Sequence, residues 1–226
     1  MNPLTIPPAH LDLIARLFKG GDQIIMGITV NCLSMLHAAV GIATEASELE
    51  RAVFHIRAAR SPWAEHPGLD FANILEELGD HLFYEGALRI ATDLVQMSDA
   101  RELGEDALST PTLWTSHLST HVHSGRGPRE VLCELISMHS ILAGDILDVI
   151  KKHVFYRKDL NRDLLRSLLL QDCWTIREVA ILLGVDEDRL RELNIAKLEK
   201  GPNARYKAGT YSDAAAQARA DKKEGE

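Results

Sequence analysis

Two pairs of acidic residues carry the chemistry this sequence can do. Glu45-x-x-Glu48 and Glu77-x-x-Asp80 each hold two carboxylates three residues apart, and that spacing puts both on one face of a helix. Both pairs lie inside segments with helical apolar spacing. Leu33, Leu36, Val40, Ala43, Leu49 and Val53 run through the first segment at steps of mostly three and four, and Ile74, Leu78 and Leu82 through the second. Stripes of this length pack helix on helix, so four carboxylates are expected to meet near one seam. A solvated acidic face is the commoner fate of such pairs. Unpaired charge at a packed seam is costly, however, and calls for cations. Carboxylate oxygen prefers hard ions, which points to magnesium or manganese.

The elements that must position these acids are helices. The chain has 226 residues, 46 % hydrophobic and 5 % aromatic, with apolar residues that are mostly Leu, Ala and Ile. These favour helix over strand, and few runs alternate with period two, so an all-α fold is expected. A helix is expected over 9–18, stopped at Gly20-Gly21, then long helices over 22–59 and 70–97. Shorter ones follow over 99–108 and 111–122, the last entered at Thr110-Pro111. Ser124-Gly-Arg-Gly-Pro128 marks the internal boundary. Beyond it the pattern predicts helices over 129–155, 159–171, 174–183 and 186–198, and an Ala-rich charged tail. The expected units are 1–123, 129–211 and the tail 212–226.

The 129–155 helix reads as a faded copy of the first long one. Ser34-Met-Leu-His37 precedes Glu45 and Glu48, as Ser137-Met-His139 precedes Asp145 and Asp148, and Val53-Phe54 is matched by Val154-Phe155. Where Glu77-x-x-Asp80 should recur, the chain offers Leu168-x-x-Gln171. This suggests two tandem pseudo-repeats, the second degenerate.

Glu-x-x-Glu, 28 intervening residues, then Glu-x-x-Asp resembles the signature of the all-α nucleoside triphosphate pyrophosphohydrolases, the MazG-like proteins and dimeric dUTP pyrophosphatases. Glu77-Leu-Gly-Asp80-x-Leu-Phe-Tyr84 is similar to that family's second motif. Asp148-Val-Ile-Lys151-Lys152-His-Val-Phe155 resembles its segment after the first acidic pair. Asn194-Ile-Ala-Lys197, with Arg205-Tyr206 and a Tyr211-Ser212 stretch leading to Arg219, is similar to its C-terminal substrate-binding segment. The resemblance spans roughly 31–97 and 140–212. It departs from the family in splitting the parts: the acids sit in the first half, the basic residues in the second. The insertion 199–204 also lengthens the spacing to Arg205.

The resemblance implies a MazG-like helical bundle whose second half acts as the partner subunit of a fused dimer. It implies attack of water on the α-phosphorus of a (deoxy)nucleoside triphosphate, releasing monophosphate and pyrophosphate. Two or three Mg2+ or Mn2+ ions held by Glu45, Glu48, Glu77 and Asp80 would neutralise the triphosphate and acidify a bound water. One acid would take the proton, and Glu48 is our choice. Lys151, Lys152, Lys197 and Arg205 would bind phosphate, and Asn194 phosphate or sugar. Asn31, His37, Trp63, Phe83 and Tyr84 are candidates for the base pocket, since aromatic faces stack on bases.

Other readings compete. A non-catalytic bundle binding nucleotides or a protein is the main alternative. Residues 175–190 imitate a helix-turn-helix, but the second helix would begin with Asp186-Glu187-Asp188, and the chain carries net charge −8, which argues against nucleic acid or anionic membrane as partner. A di-iron bundle needs Glu-x-x-His motifs, and the sequence has none. Residues 24–43 contain no charged side chain, but Thr29, Asn31, Ser34 and His37 make them a buried helix rather than a membrane span. Cys32, Cys133 and Cys173 read as reduced buried thiols of a cytoplasmic protein, and the Pro-rich start is not a signal peptide. Self-association, as a homodimer, is expected.

Overall fold

The computed structural model describes residues 8–58, 71–95, 127–200, 204–206 and 211–218, and every regular element among them is helical. Helices α1 (Pro8–Leu17) and α2 (Gly21–Ile25) lead into α3 (Val30–Ala58), followed by α4 (Phe71–Thr92), α5 (Pro128–Tyr156), α6 (Arg162–Leu182) and α7 (Glu187–Ile195). A π-helical turn (Ala196–Lys200) extends α7, and α8 (Asp213–Ala218) comes last. Helix α3 packs along both α4 and α5, α5 along α6, and α7 lies on α4. Both sequence halves therefore build one bundle. Its long helices come as 29 and 22 residues, then 29 and 21. Among the described residues no helix is long and apolar enough to cross a membrane.

The core forms two apolar clusters. One gathers Leu49, Val53, Ile74, Leu78, Leu132 and Ile136; the other gathers Ile42, Leu88, Ile146, Ile150, Leu165 and Leu169. Burying each such side chain contributes about 1.5–3 kcal/mol. On α4 the polar residues His81 and Glu85 fall between the two clusters.

Several boundaries differ from those the sequence predicts. The expected 22–59 helix is broken at 26–29. Thr29 caps the new start, its Oγ1 accepting from the Cys32 amide at 3.1 Å. Gly27 lies against the Arg157 guanidinium, where a Cβ would stand only 2.2 Å from a guanidinium nitrogen. Helix α4 stops at Thr92, not 97, because Asp93 turns left-handed at φ 57°. Residues 159–171 and 174–183 do not form two helices: α6 runs unbroken, as no Pro or Gly interrupts 162–182. The buried stripe on α3 is rotated from the expected one. It runs Met35, Ala39, Ile42, Ala46, Leu49 and Val53, while Leu33 and Val40 are exposed. A helix start with no charged residue offers more apolar positions than its neighbours cover. The helices expected over 99–108 and 111–122 lie outside the described residues.

Candidate metal centre

Helices α3 and α4 bring three of the four acids together. Carboxylate oxygens of Glu45, Glu48 and Glu77 all lie within 4.8 Å of one another. Ile42, Ala46 and Leu49 turn one side of α3 into the core, which leaves Glu45 and Glu48 at the margin of that face, towards α4. On α4, Ile74 and Leu78 are buried and seat Glu77 beside them.

The electrostatics are those of crowded like charges. Burial, then a hydrogen bond with Glu77, then the charges of Asp80, Glu77 and Glu48 push Glu45 up from 4.5 to about 8. Burial and the charges of Glu48, Asp80 and Glu76 raise Glu77 as well. Without a cation, the pair relieves its repulsion by holding a proton between them. Glu48 is the more open member. Its side chain is 46 % exposed and pairs with Arg51 at 3.4 Å.

Asp80, the fourth acid, is turned to a C-terminal arm made of α7, the π-helical turn and residues 204–206. Asn194 Nδ2 donates to its Oδ1 at 2.6 Å, and Lys197 Nζ donates to its Oδ2. The same ammonium reaches Glu76 Oε1 at 2.7 Å. Two residues of the second half thus meet the acids of the first. The arm sits there because α7 lies flush on α4. At Gly79 a Cβ would come 3.2 Å from both the Asn194 Cβ and the Leu190 carbonyl oxygen, and Leu190 is fully buried. Asp186 caps α7, its Oδ1 accepting from the Arg189 amide at 2.8 Å. The helix that imitates a recognition helix is thus packed on α4.

Tyr84 borders the same region. Its hydroxyl is pushed up by burial and by the charges of Glu45 and Asp80, with Arg205 acting the other way. Its ring stands edge-on to His37 at 5.8 Å and to Phe83 at 5.5 Å. Gly41 makes room for it, since a Cβ there would lie 2.3 Å from the ring. The Tyr206 and Tyr211 rings are 5.6 Å apart. His37, Phe83 and Asn31 are exposed, and Trp63 lies outside the described residues. Lys151 and Lys152 both pair with Asp148 on their own helix, at 2.8 and 2.5 Å. The structure therefore joins Asn194 and Lys197 to the acids through direct contacts and gives the two α5 lysines a different partner. In the second half Leu168 is buried, and Gln171 bonds Ser167 at 3.2 Å.

The donor set fits a hard divalent cation. It is all oxygen and anionic, it comes from two packed helices, and its two inner members, Glu45 and Glu77, are hydrogen-bonded to each other in place of a counter-charge.

A second cluster lies in the core, and the sequence reading missed it. Asp172 on α6 accepts from His81 Nε2 and His139 Nδ1, both at 2.7 Å, and all three residues are fully buried. Burial alone would raise the Asp172 carboxyl, but the two imidazoles hold it well below the usual carboxylate range. Burial works to lower both histidines. Asp172 overcomes it at His81, which is raised, and not at His139, which stays lowered. Beside them Cys173 Sγ donates to Glu85 Oε1 at 2.7 Å, and Arg89 meets both. The expectation of three buried thiols holds at Cys133 and is corrected at the other two: Cys32 is half-buried with its Sγ 4.0 Å from His153 Nε2, and Cys173 is half-buried in a polar network, where burial and Glu85 push it up. All three cysteines are free. A signal for this cluster was present in the sequence. Asp172 falls between Leu169 and Ile176 on the apolar stripe of α6, and an acid on a stripe needs buried partners.

No family model, curated protein or solved structure matches this chain.

Proposed function

We propose that the chain is a metal-dependent nucleoside triphosphate pyrophosphohydrolase. The observation that carries the reading is the convergence of Glu45, Glu48 and Glu77 beside an Asp80 that is met by Asn194 and Lys197 from the other half of the sequence. Anionic oxygens to hold cations and an ammonium to hold an anion, within one side-chain length of each other, suit a polyphosphate. The motif resemblance selects nucleotides among polyphosphates, and it also motivates the view of the second half as a degenerate repeat acting as an internal partner subunit.

Glu45, Glu48, Glu77 and Asp80 would hold the Mg2+ or Mn2+ ions. The ions supply charge neutralisation and an acidified water when bound. Glu48 is the residue most open to solvent and is assigned to take the proton from the attacking water. Lys197 and Asn194 bind phosphate oxygens. Arg205 and Tyr84 border the site where base or sugar would lie, and Gly41 keeps Tyr84 in place.

The test is a panel of ribo- and deoxyribonucleoside triphosphates with Mg2+, scoring pyrophosphate against orthophosphate. Pyrophosphate with monophosphate is the expected outcome. Orthophosphate as first product places the attack at a different phosphorus. Tight nucleotide binding without turnover selects the non-catalytic reading.

A further inference from the structure

Lys197 occupies one of the carboxylates that the metal reading requires, Asp80. Both oxygens of Asp80 are taken, Oδ1 by Asn194 and Oδ2 by the ammonium, which also meets Glu76 at 2.7 Å. The Lys197 side chain is only 11 % exposed, so this contact lies inside the arm's seat on α4. The residue lies in a π-helical turn, an uncommon geometry that recurs at functional positions. The following segment is tied to that turn, with the Arg205 amide bonding the Lys197 carbonyl at 3.0 Å and the Tyr206 amide bonding the Leu198 carbonyl at 2.7 Å. Lys197 is therefore joined through its side chain to α4 and through its backbone to residues 205 and 206.

A divalent cation on Asp80 and the ammonium on the same carboxylate exclude each other. The ion binds oxygen at about 2.1 Å, and a second positive charge on the neighbouring lone pair is repelled strongly at that range. We propose that Lys197 is an intramolecular counter-ion that competes with the divalent cation for Asp80, so that metal loading unlatches the C-terminal arm and releases the ammonium to an incoming polyphosphate. The inference rests on the metal-site reading above. It imposes an order, metal before nucleotide, and it makes the coupling reciprocal: whatever holds Lys197 away from Asp80 tightens metal binding by the same factor.

The test is calorimetric titration of Mn2+ alone into the full chain and into Lys197→Met and Lys197→Arg, together with amide hydrogen exchange at Arg205 and Tyr206. Lys197→Met is expected to bind Mn2+ about tenfold more tightly, within the ordinary range of coupling between sites. Lys197→Arg keeps the charge and is expected to stay near wild type. In wild type, Mn2+ is expected to speed exchange at the two amides. In Lys197→Met they exchange fast with or without the ion. Equal Mn2+ affinity in wild type and Lys197→Met, or exchange that Mn2+ leaves unchanged, overturns the inference while the metal site stands. No Mn2+ binding by any of the three proteins removes the metal site and the inference with it.

Discussion

Helix α4 serves two polar clusters from adjacent residues, and they are opposite in design. Asp80 faces the acidic site and the arm, while the next residue, His81, faces Asp172 and His139. In the core cluster one carboxylate is bracketed by two imidazoles, each residue is fully buried, and the opposite charges offset one another. In the site, like charges crowd at the edge of the bundle, partly open to water, and one acid is driven to hold a proton near neutral pH. The core cluster is balanced in charge, although His81 Nδ1 and His139 Nε2 are buried without a hydrogen-bond partner. The acidic cluster is unbalanced, and Lys197 offsets only its Asp80 side. A balanced buried network reads as architecture and an unbalanced open one as a place for a ligand.

The largest expected effect is on the open side of that comparison. Glu48→Gln should lower turnover on the order of a thousandfold, the scale of a lost general base, with an unchanged melting curve because the side chain is half-exposed. A fully active Glu48→Gln would place the catalytic centre elsewhere. Next comes the core. Asp172→Asn removes the anion between two buried histidines and should cost about 3–5 kcal/mol in urea denaturation, with no direct contact to the acids lost. Replacing His81, His139 and Asp172 together by Leu should be less damaging than Asp172→Asn alone, because no buried charge is left without a partner. A triple variant less stable than Asp172→Asn would mean that the network contributes more than its own balance.

The two clusters also differ in pH response. Glu45 titrates near 8 in the folded chain against an ordinary 4.5. The folded state therefore holds an extra proton between those values, and the metal-free protein should lose stability as pH rises from 4.5 towards 8. Glu45→Gln should flatten that slope in a series of melts, and Mg2+ should counter it, since the ion binds the deprotonated form. A slope unchanged in Glu45→Gln would assign the proton to another group.

How much of this was legible in the sequence follows from range. The acid pairs, the α4 stripe of Ile74, Leu78 and Leu82 and the all-helical class are local patterns, and local spacing fixes them. Spacing alone sets the α3 stripe a fraction of a turn away because 24–43 carries no charged residue to mark its solvent side. Local spacing leaves Asp172 in a gap between two expected helices because its partners are 91 and 33 residues away. Lys151 and Lys152 matched a motif, but a carboxylate one turn back on α5 holds them. Lys197 could be suspected from the motif; that it bridges Glu76 and Asp80 could not, because the contact depends on how α7 seats on α4.

Smaller changes probe that seating. Gly41→Ala puts a Cβ 2.3 Å from the Tyr84 ring, and should cost about 1–3 kcal/mol as the ring is forced aside, with a change in Tyr84 fluorescence or NMR shift. Gly79→Ala is gentler. Its Cβ would meet the Asn194 Cβ and the Leu190 carbonyl oxygen at 3.2 Å, so α7 must give by a few tenths of an ångström. The alanine also favours the α4 helix by roughly 1 kcal/mol, which offsets the crowding, and global stability should move little. The effect should instead appear where α7 meets α4: faster exchange at Arg205 and Tyr206 and tighter Mn2+ binding, by less than in Lys197→Met, because the ammonium remains but its reach to Asp80 is lengthened. A Gly79→Ala protein with wild-type exchange and wild-type Mn2+ affinity would show that the arm absorbs the shift without loosening Lys197.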